Sequence, residues 1–213
     1  VAYIRNQPAE LWLMQGGVEN MHMASSILSP GTVSRVRVVE GVEDAAGVLY
    51  ANAGVDVGDA LVFSYVFGVE PDAPFGGPWE VTTGVSRPAR GEVVMDRVLA
   101  ARHGLDLGDT VNILGRDLVI AGLSEDTFGI ATSVTFVHKT TLAELMSVPA
   151  DTVSYVLVQA EPGVEPSTLT ARLRDGVPGA NVMTRNAFAA SDKEMIRQMG
   201  GVERLVSGIL KFA

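Results

Sequence analysis

The segment Gly91-Glu-Val-Val-Met-Asp96 and the residues that follow it decide the fold of this chain. Its apolar centre predicts a short strand, and Asp96 stands where the N-terminal cap of a helix containing Leu99 is needed. Gly104 follows at the position where such a helix would end. The segment therefore predicts a strand that runs directly into a capped helix.

A turn and a hairpin are predicted next. Gly108 permits a left-handed backbone, and the carboxylate of Asp109 can accept backbone hydrogen bonds in a turn. Two β-prone runs then flank Gly115-Arg116, and the second of them ends in Val119-Ile-Ala-Gly122-Leu123. Nothing in this region requires a ligand, so we expect its glycines and carboxylates to serve backbone geometry.

The order strand, helix, strand occurs twice, once on each side of this region. The first set is predicted as a strand at 10–15, a helix capped by Thr32 and a strand at 45–52, and the second at 153–159, 166–174 and 181–185. Arg37-Val-Val-Glu-Gly-Val42 matches Arg172-Leu-Arg-Asp-Gly-Val177 as the end of each helix. Two such halves predict an α+β fold with a split βαβ sheet, and coincidence is the alternative because acidic-Gly-Val is a common helix ending.

The region between the two halves has a different character. An apolar strand is predicted at 61–68, and residues 71–88 are rich in Gly and Pro, which indicates a linker or a flexible lip. Residues 91–137 then predict a compact β-rich insert with one helix, and Thr141-Leu-Ala-Glu144 matches a capping box at the start of another helix. We therefore divide the chain into residues 9–70 plus 151–190, an insert at 71–150, and a final helix at 191–213.

Both ends of the chain look cut. The sequence begins at Val1, and it stops within an apolar stripe of helical spacing that starts at Met195. No run of about 18 apolar residues occurs, so we predict that nothing in this chain spans a bilayer. Any membrane spans would lie before Val1 and after Ala213. A C-terminal helix that docks on its own core is the alternative.

Composition excludes several classes of function. The chain of 213 residues is 47% hydrophobic and has a formal net charge of -9, which disfavours nucleic acid as a partner. It contains no cysteine, so disulfides, thiolate metal sites and cysteine nucleophiles are all absent.

Motifs for catalysis or cofactor binding are missing. None of the three lysines lies in a phosphate-binding loop, no dinucleotide fingerprint occurs, and no Gly-x-Ser-x-Gly elbow exposes a nucleophile. Met21-His22-Met23 offers soft ligands for copper(I), but methionine is a frequent gap filler and we favour an adaptable segment. We therefore predict no catalytic residue, no metal and no cofactor.

The stretch from Gly91 to Leu123 resembles the MacB-like periplasmic core domain of FtsX-family ABC transporter permeases. The order acidic-hydrophobic, Leu-Ala, Gly-Leu, Gly-Asp-x-Val carries the resemblance, with Gly91, Asp96, Gly104, Gly108, Asp109 and Gly122 as its structural positions. The resemblance implies a split, porter-like βαβ domain with an inserted β-rich, sabre-like subdomain. It also implies a place on the extracytoplasmic face of the bacterial plasma (inner) membrane.

The same resemblance implies a set of partners. These are a cytoplasmic ABC ATPase subunit, a second permease copy and a periplasmic membrane-fusion adaptor, with ATP-driven conformational change moving or extracting cargo. The insert is shorter than in multidrug and toxin exporters, so relatives of DevC-like glycolipid exporters or LolC-like lipoprotein extractors stay open. Partner contact is expected at exposed apolar sites, for which Phe75, Trp79, Met21 and Met23 are candidates, although an aromatic in this loop could equally pack on its own domain.

Two other functions compete with transport. A secreted or anchored ligand-binding or adhesion module is compatible with the composition, and it would carry a signal peptide or an anchor. A hydrolase without a recognised motif would need a deep polar pocket with coupled titrating groups.

Overall fold

The computed structural model describes residues 2–21, 25–128 and 133–209, with the side chains of the last helix as far as Gln198. The helices are α1 Ala2–Asn6, α2 Thr32–Arg37, α3 Arg97–Arg102, α4 Lys139–Met146, α5 Pro166–Gly176 and α6 Arg185–Ile209. The strands are β1 Leu11–Gln15, β2 Val42–Asp56, β3 Leu61–Val69, β4 Val81–Gly84, β5 Glu92–Asp96, β6 Thr110–Ile113, β7 Arg116–Ser124, β8 Ser133–His138, β9 Tyr155–Ala160 and β10 Ala180–Thr184. The fold is mixed α+β, as the sequence predicts.

The split βαβ prediction is confirmed by the order of four strands. They lie as β10-β1-β9-β2, with antiparallel neighbours throughout. The unit β1-α2-β2 therefore has β9 between its strands, and the unit β9-α5-β10 has β1 between its own. Helices α2 and α5 cover one face of this sheet and bury Val36, Leu169 and Leu173 against it.

The remaining strands close into a ring, except for β4, which pairs with β7 at an edge. The second half of β2 pairs with β3, followed by β8, β5, β7 and β6, and β6 pairs back with β2 through Ile113 and Val55. Alternate residues point into the ring, so Val93 and Met95 join its interior core while Val94 faces outward. Leu99 of α3 and Leu142 of α4 complete that interior.

One long strand joins the split sheet to the ring. β2 pairs with β9 as far as Val48 and with β3 from Leu49 onward. The division of the chain at residue 70 stays a prediction, because strand pairing alone does not define units that move separately. The change of partner strand within β2 lies between Val48 and Leu49.

An aromatic core lies between the second face of the split sheet and the outside of the ring. Trp12 of β1 is fully buried and contacts Tyr3 of α1 and Phe188 of α6, with ring centroids 5.8 and 5.4 Å away. Tyr3 also stacks on Phe67 of β3, with centroids 3.6 Å apart. The first and last helices are thus anchored in one core.

Two predicted helix caps are wrong. Thr32 does not cap α2: the preceding residue is Gly31, with φ 75°, and the Thr32 hydroxyl donates to the carbonyl of Ser29 instead. Helix α4 starts two residues before the Thr141 capping box, because Nδ1 of His138 accepts a hydrogen bond from the backbone N–H of Thr140. The Thr32 hydroxyl bonds a carbonyl three residues earlier, and at α4 an earlier residue, His138, provides the cap.

Two predicted element boundaries also change. The predicted strand at 45–52 is longer, since β2 runs from Val42 to Asp56 and serves two sheets. The last helix begins at Arg185, before the predicted start at 191.

Candidate functional site

The Asp96 carboxylate organises the segment on which the family resemblance rests. Asp96 is buried, and its Oδ1 accepts hydrogen bonds from the backbone N–H groups of Val98 and Leu99 at 2.8 and 3.3 Å. Its Oδ2 accepts from the N–H and the hydroxyl of Thr127 at 3.0 and 2.8 Å. The predicted cap is confirmed, and Thr127, which the sequence did not single out, adds a link between α3 and the segment after β7.

The other motif residues also serve the backbone. Gly91, Gly104 and Gly108 have φ of 84°, 66° and 89°, in the left-handed region. A Cβ atom on Gly122 would lie 2.1 Å from the carbonyl oxygen of Val85, so only glycine lets β7 approach that segment. Asp109 accepts a hydrogen bond from the N–H of Asp106 at 2.8 Å, which fixes the turn before β6.

The residues predicted to contact partners lie mostly inside the domain. The expectation that they are exposed is wrong for Phe75 and Met21, which are 4% and 6% exposed and belong to the aromatic core. Trp79 is half-buried, and its ring lies 6.3 Å from that of Phe136. Met23 lies outside the described residues, as does His22, so the soft-ligand hypothesis is not addressed. Partner contact at these positions stays a prediction.

Exposed apolar side chains occur at positions that the sequence analysis did not select. Leu61 and Phe63 on the outside of β3 are 75% and 51% exposed, and Val38 after α2 is 84% exposed. The sequence did not predict that these side chains are exposed. Which alternate residues of β3 face solvent is decided only when the strands close into the ring and define its inside.

The loop at residues 70–80, which we call the 70–80 loop, is fastened to the N-terminal segment. The hydroxyl of Tyr3 donates to the carbonyl of Gly76 at 2.7 Å. The Gln7 side chain donates to the carbonyl of Gly77 at 3.0 Å and accepts from the N–H of Gly76 at 2.8 Å. The segment that the sequence predicted as a linker or flexible lip is therefore fixed to its own domain. Buried hydrogen bonds join it to residues some seventy positions earlier.

A cleft of about 380 Å³ lies between α2 and the 70–80 loop. Its floor is Ala46 and Gly47 of β2. One wall is α2 with Val33, Ser34 and Arg37, and the other comprises Glu70, Asp72, Ala73 and Lys139. Lys139 Nζ lies 2.8 Å from Glu70 Oε1, and its side chain is 9% exposed. Lys139 and Glu70 directly follow the neighbouring parallel strands β8 and β3, which is why they meet.

The titratable groups of the aromatic core are poorly suited to proton transfer. Burial raises the pKa of Tyr3, Tyr50 and Tyr155 well above the ordinary value, so these hydroxyls stay protonated at neutral pH. Burial lowers the pKa of Arg87, whose Nη2 donates to the carbonyl of Ala73 at 2.9 Å. Within residues 2–21, 25–128 and 133–209, no group of three or more His, Asp or Glu side chains could hold a metal ion.

The comparison with protein families decides the identity of the fold. The family model described as MacB-like periplasmic core domain matches residues 2–175. The chain belongs to the MacB-like periplasmic core domain family. It is thus a periplasmic domain of a MacB-like ABC transporter permease, on the extracytoplasmic side of the inner membrane. The predicted resemblance is confirmed.

Solved structures show the same MacB-like fold. The periplasmic region of MacB from Actinobacillus actinomycetemcomitans superposes with a TM-score of 0.63 at 13% identity, covering 91% of this chain and 95% of that one. The extracellular domain of the noncanonic ABC-type transporter YknZ from Gram-positive bacteria gives 0.61 at 13% identity, covering 82% and 99%. A domain of a protein assigned as a permease in Porphyromonas gingivalis gives 0.52 at 16% identity, covering 83% and 86%. A search of curated protein sequences finds no match.

In the described part of this MacB-like domain, no helix is both long and apolar enough to cross a membrane.

Proposed function

We propose that this domain couples ATP hydrolysis in the cytoplasm to export or extraction of cargo by changing its conformation. The family match over residues 2–175 is the observation that carries the proposal. The sequence holds no phosphate-binding loop, so ATP hydrolysis is assigned to a partner ABC ATPase subunit or a separate domain. No catalytic step is assigned to this domain.

The geometry suits a mechanical role. The core under the split sheet and the core inside the ring are joined by the continuous strand β2 and by the aromatic core between them, and the cleft separates them on one side. Such an arrangement can change its internal angle while the two outer cores stay packed. In this proposal the units are the predicted ones, residues 9–70 plus 151–190 and 71–150, except that β3 and the second half of β2 move with the ring. The last helix leads toward the membrane.

The proposed partners follow from the family. They are the cytoplasmic ATPase, a second permease copy and a periplasmic membrane-fusion adaptor. Cargo binding has no dedicated pocket in this proposal, since mechanical coupling needs only a change of shape that the partners can sense.

The test measures the distance between two copies in the complete transporter. Val38→Cys places a spin label on an 84% exposed residue, and the chain has no other cysteine. In lipid nanodiscs with the ATPase, we expect the label-to-label distance distribution to shift between ATP-bound and nucleotide-free states. An ATPase variant that cannot bind ATP is the control and should show no shift.

An unchanged distribution with active ATPase would contradict the coupling. The secreted-module alternative is tested by the hydropathy of the flanking reading frame. One apolar segment of about 20 residues upstream and three downstream support the permease, whereas a cleavable signal and a stop codon after Ala213 support the alternative.

A further inference from the structure

The first helix binds a loop that belongs to the other half of the molecule. Residues Tyr3 and Gln7 lie just before β1 of the split sheet, and they make three buried hydrogen bonds to Gly76 and Gly77. The 70–80 loop leaves β3, which is part of the ring. Helix α1 therefore ties the ring to the segment that enters the split sheet.

The bound part of the loop sits at the point where β2 passes from one sheet to the other. A Cβ atom on Gly76 would lie 2.8 Å from Cγ1 of Val48, and the φ of Gly76 is 97°. Val48 is the last residue of β2 that pairs with β9, and Leu49 is the first that pairs with β3. The loop is thus packed against the strand position where the two halves join.

The opposite side of the same loop forms a wall of the cleft. Glu70, Asp72 and Ala73 face Ser34 and Arg37 of α2 across it. Among the described residues, no hydrogen bond or ion pair crosses from α2 to the loop. On the side away from α2, the loop wall is held by Tyr3 and Gln7, and on the ring side by Lys139 through Glu70 and by Arg87 through the carbonyl of Ala73.

We infer that α1, together with Gln7 directly after it, is a strap that sets the width of the cleft. Tyr3 and Gln7 keep the 70–80 loop against Val48, and releasing these bonds lets the loop and the ring swing away from α2. A displacement of the chain before β1 is thereby converted into a change of angle between ring and split sheet. This device goes beyond the proposed transport function, and its test needs only the 213-residue chain.

The test compares cleft widths with and without the strap bonds. Ser34→Cys and Asp72→Cys place spin labels on the two exposed walls of a chain that has no native cysteine. Tyr3→Phe keeps the ring in its stack and removes the hydroxyl, and Gln7→Leu removes both amide bonds. In the combined variant we expect a longer and broader label distance and exchange of the Gly76 amide faster by about tenfold.

Asn181→Leu is the matched control, because it removes one side-chain amide bond, to the carbonyl of Val18, on the far edge of the split sheet. It should leave the cleft distance unchanged. The strap is overturned if the combined variant shows the parent distance while the Gly76 amide exchanges rapidly. A Gly76 amide that stays slow also overturns it, because the loop would then be held by other contacts. If the combined variant does not fold, Gln7→Leu alone provides the comparison, because it removes two of the three bonds, including the one from the Gly76 N–H.

Discussion

Arg37 and Arg174 occupy equivalent places in the two βαβ units. Arg37 is the last residue of α2 and Arg174 lies in the last turn of α5. Each donates to the carbonyl of the residue eight positions later: Arg37 to Ala45 at 2.7 Å and Arg174 to Val182 at 3.0 Å. The sequence match had paired Arg37 with Arg172, whose Nη1 instead donates to the carbonyl of Glu40 on the other helix ending. The repeat is real, but its structural alignment is shifted by two residues.

This equivalence predicts unequal effects for two neighbouring arginines. Arg174→Leu removes a half-buried, charge-assisted bond to the edge strand β10, so we expect a loss of about 1 kcal/mol in the free energy of unfolding. Arg172→Leu removes an exposed bond and an ion pair to Glu40, which is 84% exposed, and should cost less than about 0.5 kcal/mol. Urea unfolding of both variants measures the difference, and equal losses would contradict it.

The four hydrogen bonds that Asp96 accepts predict a large loss of stability when its carboxylate is replaced by an amide. Asp96→Asn leaves one amide group facing two donors of Thr127, so we expect a loss of about 2–3 kcal/mol in the free energy of unfolding. Asp109→Asn changes an exposed turn carboxylate and should cost less than about 1 kcal/mol. Thermal unfolding of both variants checks the ranking, which a harmless Asp96→Asn would refute.

Glu144 predicts a change of stability with pH. A hydrogen bond from Arg116 at 2.7 Å, together with Arg90, holds the pKa of Glu144 below its ordinary value of 4.5. Because the folded pKa is the lower one, the stabilisation is present above about pH 4.5 and is lost as the pH falls through the folded value. We expect Glu144→Gln to flatten the stability curve below pH 5.

Urea midpoints between pH 3 and 7 measure this effect. Glu161→Gln, at an exposed glutamate after β9, is the control and should follow the parent curve. The difference should also shrink in high salt, since the pair is partly exposed. A parallel shift of the Glu144→Gln curve at all pH values would show that the ion pairs are not responsible.

Substitution of Trp79 distinguishes a residue of the domain core from a residue of a partner interface. Its ring packs edge-on against Phe136, so Trp79→Ala should cost about 1–3 kcal/mol of stability and leave adaptor binding unchanged. Phe63→Ala removes a 51% exposed ring from the outside of β3 and should change stability by less than about 1 kcal/mol. Thermal unfolding and adaptor binding are measured together, and weaker binding without loss of stability would assign Trp79 to an interface.

Much of the fold was predictable because the decisive signals are local. The cap at Asp96, the left-handed Gly104 and Gly108, and the hairpin after Thr110 depend on residues only a few positions apart. The capping box at Thr141 failed for a related reason: an earlier residue, His138, supplied the first acceptor, and Glu144 was engaged by arginines from the ring. A capping motif forms its hydrogen bonds only where no other residue binds its side chains or caps the helix first.

The candidate site was less predictable than the fold. An aromatic in a Gly- and Pro-rich segment has the same sequence signature whether it binds a partner or tucks inward. Phe75 is buried because α1 and the outside of the ring happen to enclose it. Leu61 and Phe63 are exposed because the same ring leaves the far end of β3 uncovered.

The sequence by itself determined most of the elements and the split βαβ order, since helix ends, turns and strand alternation follow from backbone conformation and nearby side chains, and the motif from Gly91 to Leu123 indicated the family. Helix α1 and strand β4 were not predicted. The tertiary structure alone decided that β6 returns to β2 and closes the ring, that Lys139 meets Glu70, and that Tyr3 reaches Gly76. Those contacts join residues about sixty to seventy positions apart. Their partners are chosen by the packing of whole sheets, which no short stretch of sequence encodes.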